Sequence, residues 1–192
     1  MKLYGRTPSG NSHKVRLCLK ALKLDCGRQD VTKPEQQEAW FLQLNPFGQV
    51  PVLEDQGLVV TDSLAILEYL AITYDQAGEW LPQAPGERAR VMAWLGYANS
   101  TIHLGLTQVY LIDFFKLPGD RDAALQVGKS SLDFIDRQLN QHPWLCGKAP
   151  SLADLAVYPY LERVEKTELS LEPFSQVRRY IDQIKRADWY VP

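Results

Sequence analysis

Asn45-Pro46-Phe47-Gly48-Gln49-Val50-Pro51-Val52-Leu53 is the stretch on which the reading of this chain turns. A proline enters a short β-branched run here, directly after a valine. Proline has no N–H to give to a ladder, so it belongs at the first residue or the edge of a strand. The Val50-Pro51 bond is either an ordinary trans bond or one of the minority of X-Pro bonds that are cis. A cis bond would turn the backbone groups of Val50 away from the sheet and free them for an extended peptide. Upstream, Asn45-Pro46 closes a helical candidate over 35–44. Downstream, strands over 51–54 and 58–60 flank Asp55-Gln56-Gly57, a hairpin turn signal. Thr61-Asp62-Ser63 then offers capping side chains to a helix over 64–74.

Toward the amino end, residues 2–4 read as a short strand and 27–31 as another. Between them, Val15, Cys18, Leu19 and Leu22 recur at helical spacing, with Lys14, Arg16, Lys20 and Lys23 on the other side. That pattern predicts an amphipathic helix over 12–24. The order is β-α-β-α-β-β-α: a parallel pair followed by a hairpin, hence a mixed sheet with helices on both faces. Residues 77–86 hold Gly78, Pro82, Pro85 and Gly86 and read as a linker. Beyond it the strand signals fade. Helical patterns cover 87–110, 120–141 and 172–185. Ser151-Leu152-Ala153-Asp154 has the form of a capping box, with Asp in place of the usual Glu or Gln. Pro159 predicts a kink or an early end to the helix it opens. The fold class is α+β: a domain over 1–76, a linker over 77–86 and an all-α domain over 87–192.

The chain has 192 residues, 45 % of them apolar and 23 % charged, with 5 Trp, 9 Tyr and 6 Phe. That mixture excludes disorder. Lys plus Arg is 21 and Asp plus Glu is 23, a net charge of −2, which excludes a broad basic surface for nucleic acid. No apolar run is long enough to cross a membrane, and the amino end does not read as a signal peptide. Cys18, Cys26 and Cys146 are odd in number and far apart, and His13, His103 and His142 are scattered. No metal-ligand spacing appears, so a reducing cytoplasm and no metal are expected.

Two segments carry chemistry besides the Val50-Pro51 turn. The loop Arg6-Thr7-Pro8-Ser9-Gly10-Asn11 leads from the first strand into the first helix. Its hydroxyl and amide groups sit at a helix amino end, where free N–H groups and the dipole favour an anion. A thiolate placed there would be stabilised. A model thiol titrates at about 8.5, and each unit of depression is worth about 1.4 kcal/mol. The plainer reading is that Ser9 or Asn11 caps the helix. In Thr61-Asp62-Ser63, Asp62 could take the ammonium of an α-amino acid head group while Ser63 takes its carboxylate; plain capping is the alternative here too.

Together, Asn45-Pro46-x-Gly48-x-Val50-Pro51-x-Leu53 and Asp62-Ser63-x-Ala65-Ile66 resemble the glutathione S-transferase family, and Ser151-Leu152-Ala153-Asp154 matches the family's capping box. The resemblance covers essentially the whole chain. It implies a thioredoxin-like amino-terminal domain, a short linker and a helical carboxy-terminal domain. It further implies a cis bond before Pro51 and binding of the glutathione cysteinyl backbone by Val50. Asp62 and Ser63 would hold the γ-glutamyl end. Gln49 and Lys33 lie where side chains approach the glycyl carboxylate. Asp62 is shorter than the Glu or Gln of many members. The loop around Ser9 and Asn11 looks like the Ser/Thr-x-Asn pattern of bacterial and nu-like members, in which the hydroxyl or the amide contacts the sulfur. Ser9 is the first choice and Asn11 the second. Tyr4, the position's rival in tyrosine-type members, lies on the strand and reads as packing. Cys18 falls in the apolar stripe and reads as core. Lys14 reads as a solvated lysine, His103 as a base without a visible partner. Trp94, Tyr97, His103 and Tyr110 lie on the helix that in the family lines the electrophile pocket. Phe47 either packs in its own domain or inserts into a second subunit. The implied protein is a cytoplasmic homodimer that transfers glutathione to hydrophobic electrophiles. The alternatives are glutathione-dependent disulfide or peroxide reduction of nu-like type, and a non-catalytic binding protein of the same fold.

Overall fold

Two apolar-rich strands, β1 (Lys2–Gly5) and β3 (Val52–Asp55), form the middle of a four-stranded sheet. In the computed structural model, which describes residues 1–192, β2 (Gly27–Asp30) and β4 (Leu58–Thr61) are the edges, giving the order β2-β1-β3-β4. β1 pairs parallel with β2 and antiparallel with β3, and β3 and β4 form the hairpin. The two central strands are mostly buried and the two edges mostly exposed, as expected when only the middle of a short sheet is covered on both sides.

Helix α1 (Gly10–Ala21) packs on α3 (Ser63–Tyr74). Val15, Leu17, Cys18 and Leu19 of α1 are buried, as are Ile66, Leu67, Leu70 and Ala71 of α3. Fully burying each larger apolar chain contributes about 1.5–3 kcal/mol. The predicted stripe is wider than the periodicity indicated: Leu17, His13 and Lys14 are buried as well. Burial of Lys14 overturns its reading as a solvated lysine. On the other side of the sheet Tyr4, Val31, Phe41 and Val52 cluster, with Trp40, Leu44 and Val50 against them. The helical candidate over 35–44 is two pieces. A 3-10 turn, Glu35–Gln37, is separated from α2 (Ala39–Leu44) by an extended Glu38. Local side-chain bonds compete with the continuous helix: Thr32 donates to the Glu35 carboxylate through N–H at 2.7 Å and Oγ1 at 2.6 Å, and Trp40 Nε1 donates to Glu38 at 2.9 Å.

The chain forms two compact units, Met1–Gly78 together with Asp188–Pro192, and Glu79–Ala187. The second is all helical: α4 (Pro85–Asn99), α5 (Gln108–Phe115), α6 (Arg121–Gln141), α7 (Leu152–Leu161) and α8 (Ser175–Lys185). The single helix predicted over 87–110 is broken. The Ser100 hydroxyl donates to Gly96 O at 2.8 Å, and a π-helical turn, His103–Thr107, precedes α5. The turn is pressed onto α6: a Cβ on Gly105 would lie 2.6 Å from the Gly128 nitrogen. Every residue of α7 is buried, and the helix runs past Pro159 to Leu161. The capping box at its start is formed. Asp154, fully buried, accepts from Leu145 N, Ser151 N, Ser151 Oγ and Tyr180 Oη. Trp80 and Leu81, within the predicted linker, are buried, and Leu152 N donates to Trp80 O.

Candidate active site

Strand register gathers the candidate residues. Tyr4 faces Val52 and Val52 faces Thr61, so three segments share one end of the sheet: the loop after β1, the turn before β3 and the start of α3. Gly5 faces Asp30, and Val31 N donates to Gly5 O at 2.8 Å, which brings Lys33, just beyond β2, to the same end. Ser9, Lys33, Gln49, Val50, Pro51, Asp62 and Ser63 therefore border one edge of the first unit.

The Val50-Pro51 peptide is cis. The loop ahead of it is anchored by buried Asn45, which accepts from Phe47 N at 3.1 Å and donates from Nδ2 to Gln49 O at 2.8 Å. Gly48 N donates to Asn45 O at 2.9 Å. Val50 packs its side chain on the sheet cluster, while its own N–H and C=O take no part in these loop bonds. Buried backbone groups are normally paired, so this edge offers a donor and an acceptor to a strand-like ligand.

Ser9 is the N-cap of α1: its Oγ accepts from Ser12 N at 3.2 Å, which leaves the hydroxyl proton to donate elsewhere. No acidic side chain lies in the first turn of α1, so the positive end of its dipole is not cancelled. His13, on that same turn, donates its backbone N–H to Ser9 O at 3.0 Å, and its Nε2–H donates to Val191 O at 2.7 Å. The segment 188–192 thus belongs with the turn that carries Ser9. Asn11 is half-buried one residue into the helix.

Asp62 caps α3, accepting from Leu64 N at 2.8 Å and Ala65 N at 3.3 Å through Oδ1. Its φ of +67° is strained for a non-glycine residue, and such strain collects at ligand sites. Beside it the Ser63 hydroxyl is buried and has no hydrogen-bond partner, a costly state for a polar group. Tyr4 is otherwise engaged: its hydroxyl donates to Glu54 at 2.6 Å and its ring packs on Trp40. Cys18 is fully buried, and desolvation holds its thiol far above the usual range.

The four aromatic candidates of the helical unit fall into two groups. Trp94 and Tyr97 pack with Phe134. Trp94 also walls a cavity of about 420 Å³ with Arg90, Gln138, His142 and Cys146. Burial pushes the Cys146 thiol up to about 11. Tyr110 instead stacks on Phe114 and lies under the Arg163 guanidinium, and His103 meets Tyr160 edge-on. Neither Tyr160 nor Arg163 carries a sequence signal; Tyr160 lies on α7 and Arg163 just beyond its end, both distant in sequence from their partners.

A mixed βαβ-ββα sheet with a cis proline at its edge, two helix amino ends beside it and an all-helical second unit defines the class of thioredoxin-like proteins that present an edge to a peptide. Residues 1–72 match the family model "Glutathione S-transferase, N-terminal domain" and 118–183 match "Glutathione S-transferase, C-terminal domain". Glutathione S-transferase GstB of Escherichia coli is 29 % identical over 95 % of this chain and 91 % of its own. Maleylacetoacetate isomerase of Pseudomonas aeruginosa is 30 % identical over 95 % and 90 %. A glutathione S-transferase crystal structure from Pseudomonas fluorescens superposes with a TM-score of 0.91 at 29 % identity, covering 100 % of this chain and 97 % of that one. A delta-class glutathione transferase of Nilaparvata lugens gives 0.89 at 28 %, with coverage of 97 % and 89 %. The chain belongs to the glutathione S-transferase family and is an enzyme of that family, with glutathione as cosubstrate. No helix is long and apolar enough to cross a membrane, and no three metal-ligating side chains converge.

Proposed function

We propose that this enzyme transfers glutathione to hydrophobic electrophiles, working in the cytoplasm as a homodimer. Glutathione lies extended along the sheet edge. Val50 pairs with the cysteinyl backbone, Ser63 and Asp62 receive the carboxylate and ammonium of the γ-glutamyl end, and Lys33 and Gln49 approach the glycyl carboxylate. Ser9, with Asn11 beside it, donates to the sulfur at the amino end of α1. The thiol loses its proton to water and the bound thiolate attacks carbon. A C–S bond forms, the bond to the leaving group breaks, and that group departs with the electron pair. The protein contributes position and electrostatic stabilisation. The observation that most supports this reading is the buried, unpartnered hydroxyl of Ser63 beside strained Asp62, an arrangement completed by a ligand carboxylate.

The test is Ser9→Ala with an activated aryl chloride. Losing one preorganised donor to the thiolate should lower kcat by about 10- to 100-fold, while calorimetry finds glutathione affinity within about twofold of wild type, since the tripeptide's other contacts remain. Full rate in Ser9→Ala with a large loss in Asn11→Ala moves the role to Asn11. Absence of glutathione binding by the wild-type protein removes the reading. Faster turnover of a small disulfide than of the aryl chloride favours thiol–disulfide reduction instead. A second reading, isomerisation through the same bound thiolate, is favoured by the relative from Pseudomonas aeruginosa named for that reaction.

A further inference from the structure

His13 is a buried imidazole on the first turn of α1, the turn that Ser9 caps. Its main chain closes that turn, donating to Ser9 O at 3.0 Å. Its side chain does something else: Nε2 donates to Val191 O at 2.7 Å, 178 positions further along the chain. Val191 lies in the short non-helical segment that follows α8, and Asp188–Pro192 group with the first unit, whereas α8 groups with the second. Trp189, Tyr190 and Val191 are half-buried although no helix or ladder holds them. Burying an imidazole costs free energy that an apolar side chain would not, and a hydrogen bond offsets that cost only while its partner stays in place. The terminal turn of a helix has unpaired backbone groups and opens more readily than its middle. Arg6 holds this one from the β1 side: its N–H donates to Ser12 Oγ at 3.2 Å and its C=O accepts from Ser9 N at 2.9 Å. The bond to Val191 is a second hold, from the other end of the sequence.

We propose that His13 is a positioning residue for the transferase reaction, and that residues 188–192 act through it as a strap that keeps the Ser9 turn in its thiolate-stabilising geometry. The inference rests on the reading of that turn given above and adds the part of the chain that holds it. A donor aimed at a developing charge helps most when it is already in place, and a displacement of about 1 Å costs up to about 100-fold in rate. The Ser9 hydroxyl is fixed by a single bond, from Ser12 N at 3.2 Å, so its aim depends on how firmly the first turn is kept. An imidazole suits the task. Its Nε2–H donates to a carbonyl in the matching neutral tautomer and again in the protonated ring, so the hold survives the titration of His13 itself. A change in the pH profile when the ring is removed therefore reports the glutathione thiol and not the histidine.

Two full-length variants test it. His13→Leu fills the space and cannot donate; His13→Gln carries an amide N–H to nearly the same reach. In His13→Leu, NMR relaxation should show the backbone order parameters of residues 189–191 falling from about 0.85 to below about 0.6. With the aryl chloride, kcat should fall about two- to tenfold, the range of one lost hydrogen bond. The apparent pKa of bound glutathione, read from the ultraviolet absorbance of its thiolate, should rise by about half a pH unit. Glutathione affinity should stay within about twofold, because Val50, Asp62 and Ser63 stand on other elements. His13→Gln should restore tail order, rate and thiol pKa together, whereas a histidine that only stabilised the fold would leave the thiol pKa unmoved. A tail that stays ordered in His13→Leu overturns the hold. A mobile tail with unchanged kcat and thiol pKa overturns the positioning role, as does His13→Gln with an ordered tail and the losses of the leucine variant. Should His13→Leu fail to fold, His13→Asn, whose shorter amide does not reach Val191 O, takes its place with the same outcomes. Absence of glutathione binding by the wild type overturns instead the reading on which the inference rests.

Discussion

Gly48 is the residue on which the peptide-binding turn depends most. Its φ is +59°, and a Cβ there would lie 2.8 Å from Gln36 O and 2.8 Å from Gln37 Nε2. An L side chain meets left-handed strain and a backbone contact together. Gly48→Ala should therefore destabilise the fold by about 2 kcal/mol. It should also weaken glutathione binding, because the loop it distorts holds Val50. Denaturant unfolding and calorimetry check the two effects; unchanged affinity at reduced stability would uncouple the turn from the site. At this scale the sequence was informative where a residue's role is local. Pro51 after Val50, Ser9 before a helix and Asp62 before another can be read from their neighbours. The unpartnered Ser63 hydroxyl cannot, because lacking a partner is a property of the surroundings and not of the residue.

At the scale of elements, the start of α7 is the most tightly specified piece. Asp154 satisfies two backbone N–H groups and two hydroxyls in a fully buried setting. Asp154→Ala strands all four donors, which should cost about 3 kcal/mol or more. Asp154→Asn keeps the shape but turns donors toward donors, and should cost less. Thermal or denaturant unfolding would rank them; an alanine variant as stable as wild type would deny the network its structural role. This capping box was legible because all its parts lie within four residues. The break between α4 and α5 was not: the apolar spacing of Val91, Trp94, Leu95, Ala98 and Ile102 is helical on both sides of it. The interruption depends on the approach of Gly105 to Gly128 of α6, a contact between distant segments. Periodicity likewise missed the burial of His13 and Lys14, since it marks apolar faces and not polar groups covered by another part of the chain.

At the scale of the whole molecule, the apolar surface left open asks what covers it. Phe47 is 86 % exposed and Ile72 61 %. The Phe47 backbone is fixed by its bond to Asn45 Oδ1, so its largely exposed ring projects from a held turn. This argues against simple packing within the domain and for insertion into a second copy of the chain. An aromatic side chain held rigid before association loses little further freedom on binding and contributes its burial directly. Covering one such ring is worth about 2 kcal/mol, so Phe47→Ser should raise the dimer dissociation constant by about 30-fold for each ring removed. A symmetric interface removes two. Analytical ultracentrifugation over a concentration series reads that shift, and calorimetry with glutathione tells whether the turn keeps its shape. A wild-type protein that sediments as a monomer at every concentration would sink the homodimer. A dimer indifferent to Phe47→Ser would place the contact elsewhere on the surface and leave the exposed ring without a role in assembly.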